Sequence, residues 1–467
     1  MNINLSHILI YTAIIRNIGD KRMLRKGLAV AVILLFMGVA FTSSINANVS
    51  KSSLESVLKE QNKPTRPNFI RSNTFSYSVS ISGDYAIFGE PAHIFKKGSV
   101  HIYKKGILRW QKMQKISAFD GELGDGFGGE VCIDGDYIIV GRAGDNENGY
   151  YSGSAYVYKR NGNTWELEQK LLPSDGCSYN YFGGSISIDG EYALIGAPDA
   201  SGSAYVFKRN GTTWFEQAKL VSSDVGSLDR FGCSVSIDDE YALIGAYCDN
   251  DFGSLSGSAY IFKRDGTDWS EKQKLLAFDG AVNDEFGYSV SIDGDYALIG
   301  ARWDHVYGYQ SGSAYVFKRD GITWTSQQKL IAPDGEEYDS FGGSVFLEGN
   351  WAIIGSIGND ENGDASGSAY MFKRDGSSWN MEQKLFPLDG KEMDLFGYSV
   401  CIDANYVLIG ERIDFDNFWA VRSAYIFEKI GSTWIQKQKF YGIGIFFCIF
   451  AWLVDIVWPN GSLVVDN

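Results

Sequence analysis

The sequence predicts an all-β fold, a seven-bladed β-propeller built from four-stranded antiparallel blades. The first reason is repetition, because one segment of about 55 residues occurs seven times along the chain. The second is that each copy contains four short segments rich in Val, Ile, Tyr and Phe, bounded by Gly and Asp. The third is burial: each sheet has apolar residues on both faces, and a closed ring of seven sheets covers both faces of every one.

The seven copies keep one register. Each opens with a phenylalanine and ends near a tryptophan, and these seven phenylalanines alternate strictly with these seven tryptophans. The phenylalanines are Phe75, Phe127, Phe182, Phe231, Phe286, Phe341 and Phe396, and the tryptophans are Trp110, Trp165, Trp214, Trp269, Trp324, Trp379 and Trp434. This alternation assigns residues 75–440 to the propeller.

The copy that begins at Phe286 shows how each blade is built. Its strands are predicted at 289–292, 296–299, 313–318 and 324–330. Asp293-Gly294 and Asp320-Gly321 form its first and third turns, and Asp-Gly favours two-residue hairpins because both central residues need positive φ. The second turn is a longer loop. In an antiparallel blade the tight turns therefore lie on one face of the ring, and the long loops share the other face with the junctions between blades.

Three motifs carry a family resemblance: F-G-x-S-V at the head of the copies, I-G-A-P at 195–198, and D-G-x-x-x-D-x-F-G at 279–287. With these motifs the chain resembles the FG-GAP repeats of the integrin α-subunit propeller, in the tandem form found in many secreted microbial proteins. The resemblance covers residues 75–440 and implies a propeller that acts in adhesion. Ser76 and Arg422 depart from the motif, since Ser76 replaces the glycine after Phe75 and Arg422 occupies the position of Gly98.

The residues outside the propeller indicate export. Residues 1–47 contain Arg25-Lys26, an uncharged run at 27–41 and a small polar stretch that ends at Ala47, which predicts a signal peptide or an N-terminal membrane segment. Residues 48–74 are predicted to be a polar tether. The apolar tail at 441–467 has three interpretations: a membrane anchor, an extra strand, or a reading-frame artefact. We therefore expect a secreted or cell-surface protein, with Met1 or Met23 as its start.

The charge of the chain limits its partners. The net charge is −15, and the leader is basic, so the remainder of the chain is still more acidic. Such a surface repels nucleic acid and anionic membranes. We expect an extracellular protein or glycan as partner, no nucleic acid, and membrane contact only through the terminal apolar segments.

The long loops are the predicted ligand-binding elements. Every change in the length of the repeat falls within them, and binding residues usually lie on variable loops of a rigid scaffold. They are acidic and aromatic, although ordinary turn chemistry would also explain the acids. The candidate residues are Asp145, Asn146, Glu147, Asp249, Asp251, Phe252, Trp303, Asp304, Tyr307, Asp360, Glu361, Asp364, Asp414 and Asp416.

The junctions between copies carry pairs of acids five residues apart. The pairs are Asp120 and Asp125, Asp224 and Asp229, Asp279 and Asp284, Asp334 and Asp339, and Asp389 and Asp394. Like charges around one rim are unfavourable unless each carboxylate accepts backbone N–H groups or shares a cation. Ca²⁺ is therefore one hypothesis for these pairs, and stabilisation of the turns without a cation is the other. Integrin propellers bind calcium in a longer acidic hairpin, which here is only I-D-G-D-Y, so the resemblance does not imply those sites.

No catalytic constellation is evident, and we expect a protein that is not an enzyme. The four histidines, His7, His93, His101 and His305, are scattered through the sequence and form no metal or Ser-His-Asp pattern. The favoured function is protein binding or adhesion through the long-loop face. The alternatives are a glycan-binding module that uses exposed Trp303, Tyr307, Phe252 and Phe418, a glycan hydrolase with an unrecognised channel site, and a structural unit of the cell envelope.

Overall fold

The computed structural model describes residues 77–91, 97–198, 202–224, 226, 228–412 and 423–441, and every element in these ranges is a strand. No membrane-spanning helix is found in this part of the chain. The leader, the tether and the tail beyond Tyr441 lie outside the described residues, so their predicted roles remain predictions. All seven blades belong to one unit, Ile70–Asn467.

The 28 strands follow one another in groups of four. Blade 1 contains β1 (Val79–Ser82), β2 (Tyr85–Glu90), β3 (Ser99–Lys105) and β4 (Trp110–Ile116); blade 2 contains β5 (Val131–Asp134), β6 (Tyr137–Arg142), β7 (Ser154–Asn161) and β8 (Thr164–Leu171). Blade 3 contains β9 (Ser185–Asp189), β10 (Tyr192–Ala197), β11 (Ser203–Asn210) and β12 (Thr213–Leu220); blade 4 contains β13 (Val235–Asp238), β14 (Tyr241–Ala246), β15 (Ser258–Asp265) and β16 (Asp268–Leu275). Blade 5 contains β17 (Phe286–Asp293), β18 (Tyr296–Ala301), β19 (Ser313–Asp320) and β20 (Thr323–Leu330); blade 6 contains β21 (Phe341–Glu348), β22 (Trp351–Ser356), β23 (Ser368–Asp375) and β24 (Ser378–Leu385). Blade 7 contains β25 (Phe396–Asp403), β26 (Tyr406–Glu411), β27 (Ser423–Ile430) and β28 (Thr433–Tyr441).

Each blade is a four-stranded antiparallel sheet whose strands pair in chain order, which confirms the predicted seven-bladed propeller. The first strand is innermost and the fourth is outermost. In blade 5 the first strand begins at Phe286, three residues before the predicted start. Phe286 pairs with Ala301 across an irregularity that contains Gly287 and Tyr288, and regular pairing begins at Ser289. This irregularity turns the chain from the junction into the channel wall.

The motif glycines bring neighbouring blades into backbone contact. The glycine after each described motif phenylalanine, from Gly128 to Gly397, has φ between 86° and 93°, which L side chains rarely adopt. Its carbonyl oxygen faces the glycine near the end of the preceding blade's second strand. A Cβ placed on Gly300 would lie 2.0 Å from the oxygen of Gly342, and one on Gly141 would lie 2.1 Å from that of Gly183. Only glycine fits at both positions.

Aromatic side chains fill the space between blades. The motif phenylalanines from Phe127 to Phe396 are at most 1% exposed. Each motif tryptophan packs edge-on or nearly so against an aromatic ring on the preceding blade's second strand. Trp165, for example, lies with its ring centroid 5.7 Å from that of Tyr85, and Trp110 lies 5.7 Å from Tyr406. Because the second of these contacts joins blade 1 to blade 7, the same packing closes the ring.

Side-chain hydrogen bonds also connect neighbouring blades at their outer strands. The side chain of Gln114 accepts a hydrogen bond from the backbone N–H of Trp165 at 2.8 Å and donates one to its carbonyl at 2.9 Å. Gln438 makes the equivalent pair with Trp110, at 2.9 and 3.1 Å, and so joins the last blade to the first. Ala218 replaces the glutamine between blades 3 and 4. These hydrogen bonds from a glutamine side chain to the backbone of a tryptophan therefore occur at six of the seven interfaces, including the one that closes the ring.

The glycine contact predicts an unequal response to two substitutions in blade 5. Gly300→Ala forces a methyl group into the backbone of the next blade, and we expect a loss of about 3 kcal/mol or more. Gly294→Ala places a methyl group where nothing lies within 4 Å, at φ +57°, so only about 1 to 2 kcal/mol of backbone strain is expected. Thermal unfolding of both variants checks this. Equal losses would show that the contact between blades does not limit stability.

Candidate functional site on the long-loop face

The long loops and the junctions between blades form one continuous rim. The backbone N–H of Tyr179, in the junction before blade 3, donates to the carbonyl of Tyr150 in the loop of blade 2 at 2.7 Å. Equivalent bonds join Asn283 to Ser254, Tyr338 to Tyr309 and Met393 to Asp364, each at 2.8 Å. Each of these loops is thereby fixed to the junction that follows it, so neighbouring blades build the face jointly.

A lysine occupies the centre of the acidic cluster in blade 2. Lys170 Nζ, from the Q-K-L segment of β8, lies 2.7 Å from Asp120, 2.7 Å from Asp145 and 2.5 Å from Glu147. Asp120 comes from the junction, and the other two acids come from the long loop. The hydroxyl of Tyr156 on β7 donates to the second oxygen of Asp120 at 2.7 Å. One ammonium group thus joins the junction, the loop and two strands of the blade.

The same arrangement recurs around the ring. In blade 4, Lys274 lies 2.6 Å from Asp224, 2.8 Å from Asp249 and 2.5 Å from Asp251. The corresponding contacts elsewhere are Lys219 with Asp175 at 2.6 Å, Lys329 with Asp279 at 2.7 Å and Asp304 at 2.6 Å, Lys384 with Asp334 at 2.6 Å and Glu361 at 2.7 Å, and Lys439 with Asp389 at 2.8 Å. These lysines were not predicted as site residues, although a lysine recurs at this position of the fourth strand in the same copies as the acids.

The lysines control the ionisation of the acids. Burial alone would raise the pKa of Asp145, but hydrogen bonds from Lys170 and Ser154 outweigh it and hold the pKa below its usual value. The pKa of Asp249 is lowered for the same reason, with Lys274, Ser258 and Tyr260 opposing burial. Both acids are therefore carboxylates at neutral pH, and each is matched by a positive charge in direct contact.

The second acid of each junction pair has a different role from the first. Asp125, Asp229, Asp284, Asp339 and Asp394 each accept the backbone N–H of the residue three positions earlier, at 2.5 to 3.0 Å. Asp125 also accepts from Arg142 Nε at 2.8 Å. These backbone bonds are the ones expected if the second acid stabilises its turn. In blade 2 the two acids of the pair also share one partner, because Arg142 lies 3.3 Å from Asp120 and 2.8 Å from Asp125.

Among the residues that the structure describes, two groups of acids have the geometry to hold a metal ion: Asp120 with Asp145 and Glu147, and Asp224 with Asp249 and Asp251. The ligand oxygens of each group lie within 4.8 Å of one another. These are the oxygens that surround Lys170 and Lys274, so an ammonium group lies where a divalent cation would have to bind. A cation at either group must displace the lysine, and Ca²⁺ remains a hypothesis.

The other candidate residues are distributed along the rim. Asn146 and Asp360 accept the backbone N–H of Tyr151 and Ala365, at 2.9 and 2.7 Å, and so hold the shape of their loops. Phe252 and Tyr307 are 48% and 42% exposed, Asp364 is exposed, and the ring of Trp303 lies 4.7 Å from the guanidinium of Arg302. Asp414, Asp416 and Phe418 lie outside the described residues.

Four tyrosines that were not among the predicted site residues form a surface on the rim. Tyr150 and Tyr151 come from the loop of blade 2, and Tyr179 and Tyr181 come from the next junction. The ring centroids of Tyr150 and Tyr179 are 5.5 Å apart, and Tyr151 stacks on Tyr181 at 5.5 Å. Tyr150 and Tyr179 are 54% and 52% exposed. We call these four residues the tyrosine platform. The Tyr-Tyr and Tyr-x-Tyr strings were visible in the sequence, but their meeting depends on the fold.

A family model described as FG-GAP repeat matches residues 110–158, 165–207, 214–262, 269–317, 324–372 and 379–427. Each match begins at the tryptophan of one blade and ends in the third strand of the next blade. No curated protein matches the sequence. Among solved structures, a protein from Lactobacillus plantarum is 13% identical, covers 68% of this chain and 86% of its own, and has a TM-score of 0.46. Sqt1 from Saccharomyces cerevisiae is 10% identical, with 80% and 87% covered and a TM-score of 0.44.

Replacing the central lysine of blade 4 tests whether it supplies the charge that the acids need. In Lys274→Gln three carboxylates lose their shared ammonium group, and we expect a loss of about 2 kcal/mol at pH 7. Millimolar Ca²⁺ should restore part of the loss, because the vacated centre suits a divalent cation. Melting curves with Ca²⁺ and with chelator check this. The control is Lys272→Gln, an exposed lysine of the same strand. A wild-type protein that loses stability under chelation would contradict the assignment.

Glu411 predicts a pH dependence of stability. It is 1% exposed, and burial raises its pKa to about 7 from an ordinary value near 4.5. Between these values the folded protein keeps a proton that the unfolded chain releases, so the contribution of Glu411 to stability falls as the pH rises from 4.5 to 7. We expect Glu411→Gln to flatten this part of the stability curve, measured by unfolding at several pH values. Exposed Glu392→Gln is the control, and an unchanged slope in Glu411→Gln would contradict the prediction.

Proposed function

This chain belongs to the FG-GAP repeat family, and from that premise we propose that it is an exported, non-catalytic propeller that binds a protein partner through its long-loop face. Export is supported by the order of the leader, in which basic residues precede an uncharged run. We therefore expect its partner at or outside the cell surface. The observation that carries the binding role is the tyrosine platform.

The tyrosine platform has the composition of an interface hot spot. Tyrosine is enriched where protein partners bind, because one side chain offers a large apolar face and a hydroxyl with few rotatable bonds. Four such rings lie together on the rim, and two of them are about half exposed. A partner that covers the platform would bury their apolar faces and leave hydroxyls at the edge for hydrogen bonds.

The platform is held in place before any partner binds. Besides the bond between Tyr179 and Tyr150, the backbone N–H of Tyr181 donates to the carbonyl of Tyr151 at 3.0 Å, and that of Tyr150 donates to Ser178 Oγ at 3.1 Å. The backbone is in the left-handed region, with φ between 52° and 65°, at Tyr151, Tyr179 and Tyr181. Ordering of loops is a major cost of association, so a surface ordered in advance binds more tightly.

The non-catalytic part of the proposal is supported by the surroundings of the two described histidines. His101 lies inside blade 1 with its Nε2 2.7 Å from Glu90. His305 lies on the rim of blade 5 and packs edge-on against Tyr309 with the ring centroids 5.1 Å apart. His101 and His305 belong to different blades, so the two histidines do not form a catalytic pair in which one acts as a general base.

A glycan partner is the second candidate, and two other rings favour it. A Cβ placed on Gly280 would lie 2.9 Å from the ring of Phe252, and one on Gly335 would lie 2.7 Å from the ring of Tyr307. Each ring therefore rests on a glycine of the following junction and remains partly exposed. Exposed aromatic faces supported from behind suit stacking on sugar rings.

Competition on cells tests the protein-binding proposal. Labelled full chain should bind saturably to cells of the producing organism, and unlabelled wild type should compete. We expect Tyr150→Ser/Tyr179→Ser to compete at least about 30-fold less well, as expected for the loss of hot-spot residues worth about 2 kcal/mol or more. Exposed Ile322→Ser, in a tight turn on the opposite face, should compete like wild type.

Treatment of the cells separates the two candidates. If the partner is a protein, protease treatment should abolish binding, and periodate oxidation of glycans should leave it intact. The reverse pattern would replace the proposal with the glycan candidate, for which Phe252→Ser/Tyr307→Ser should be the damaging variant. Full competition by the platform variant would refute the role of the platform.

A further inference from the structure

The innermost strands enclose a cavity of about 420 Å³ along the axis of the ring. Its walls carry a serine from the first strand of most blades. These hydroxyls bond to neighbouring blades: Ser78 Oγ accepts from the backbone N–H of Val131 at 3.1 Å, and Ser289 Oγ donates to the carbonyl of Gly342 at 2.8 Å. The volume lies in the range of small-molecule sites.

Two arginines and three tyrosines gather at the end of this cavity nearest the long-loop face. We call Tyr77, Tyr288, Tyr398, Arg302 and Arg412 the channel-mouth cluster. The tyrosines lie where the first strands of blades 1, 5 and 7 begin, and the arginines directly follow the second strands of blades 5 and 7. The three tyrosines and Arg302 line the cavity. None of these five residues is among those predicted from the sequence.

Each arginine stacks on tyrosine. The guanidinium carbon of Arg302 lies 3.5 Å from the ring centroid of Tyr288. That of Arg412 lies 4.9 Å from Tyr398 and 5.7 Å from Tyr77, whose rings are 5.2 Å apart. Arg412 Nη1 also donates to the hydroxyl of Tyr398 at 3.0 Å. Stacking fixes both guanidinium planes and so orients their N–H groups in advance of a ligand.

Arg302 retains donors that no described residue uses. Its Nε donates to Glu285 at 2.6 Å, and this is its single hydrogen bond among the residues that the structure describes. The Nη1 and Nη2 atoms, which carry four N–H groups, therefore remain available beside the cavity. The side chain is 22% exposed. A guanidinium with its outer nitrogens available presents the fork that binds a carboxylate through two parallel hydrogen bonds.

The tyrosines indicate the chemistry of the rest of the ligand, beyond its carboxylate. Burial raises the pKa of both Tyr288 and Tyr398, so their hydroxyls stay protonated and can donate hydrogen bonds. Rings and hydroxyls side by side suit a molecule with apolar faces and many hydroxyl groups, which is the chemistry of a sugar ring. The serine hydroxyls of the wall retain hydrogen-bonding capacity beyond the bonds between blades.

We propose that the channel-mouth cluster binds a sugar acid, with its carboxylate on Arg302 and its ring against the tyrosines. This site is separate from the tyrosine platform, and it depends on the fold and not on the protein-binding role. The chain is acidic overall, so long-range attraction would not bring an anion here. Selectivity therefore comes from contacts inside the mouth.

Calorimetric titration of the purified full chain with sodium D-glucuronate tests the proposal. We expect saturable binding with a Kd of about 1 mM or tighter. Methyl glucoside, which lacks the carboxylate, and acetate, which lacks the ring, should each bind at least tenfold more weakly. Acetate that binds as tightly as glucuronate would overturn the sugar part, and the absence of glucuronate binding at tens of millimolar would overturn the whole proposal.

Substitutions at Arg302 test whether this residue binds the carboxylate of the ligand. Arg302→Lys keeps the charge beside Glu285 but loses the fork, and glucuronate should bind about tenfold more weakly. Arg302→Gln/Glu285→Gln removes the pair together, leaves no buried charge unmatched, and should weaken binding further. Arg319→Gln, on the opposite face, should bind like wild type; that arginine stacks on Tyr241 at 4.5 Å. Wild-type affinity in Arg302→Lys and in the double variant, with unchanged melting temperatures, would refute the assignment.

Discussion

The contact between backbones of neighbouring blades governs this structure. In each described motif copy, a glycine held at positive φ presents its carbonyl oxygen to a glycine of the preceding blade, as Gly342 does to Gly300. Any side chain at either position would separate the blades. This contact sets how closely the first and second strands approach, and so it fixes the radius of the channel and the position of every loop on the rim.

The acidic rim depends on contacts within each blade. Junction and loop acids meet because the junction that leads into a blade lies beside that blade's own long loop, and a lysine from the fourth strand of the same blade relieves the resulting repulsion. In blade 2 a second cation, Arg142, contacts Asp125 and Asp145. Each lysine therefore offsets part of the negative charge around it, and exposed aromatic rings lie beside these clusters on the rim.

The repeat itself made the fold predictable. The alternation of Phe and Trp, the Asp-Gly turns and the strand-length apolar segments gave the blade count and the antiparallel order. The site was predicted less completely. The predicted acids that the structure describes lie on the long-loop face. Lys170 and Lys274 were not among the predicted residues, and Tyr150 and Tyr179, which lie 29 positions apart in the sequence, gave no sign of contact.

The sequence by itself determined the number of blades, the strand order and the face on which variation is concentrated, because these follow from local turn chemistry and from periodic burial. Only the tertiary structure decided which charges neutralise one another, which tyrosines meet, and that Arg302 and Arg412 reach the channel mouth. Those relations join residues of different strands, loops or blades, and they depend on distances of a few ångströms across interfaces that no local pattern encodes.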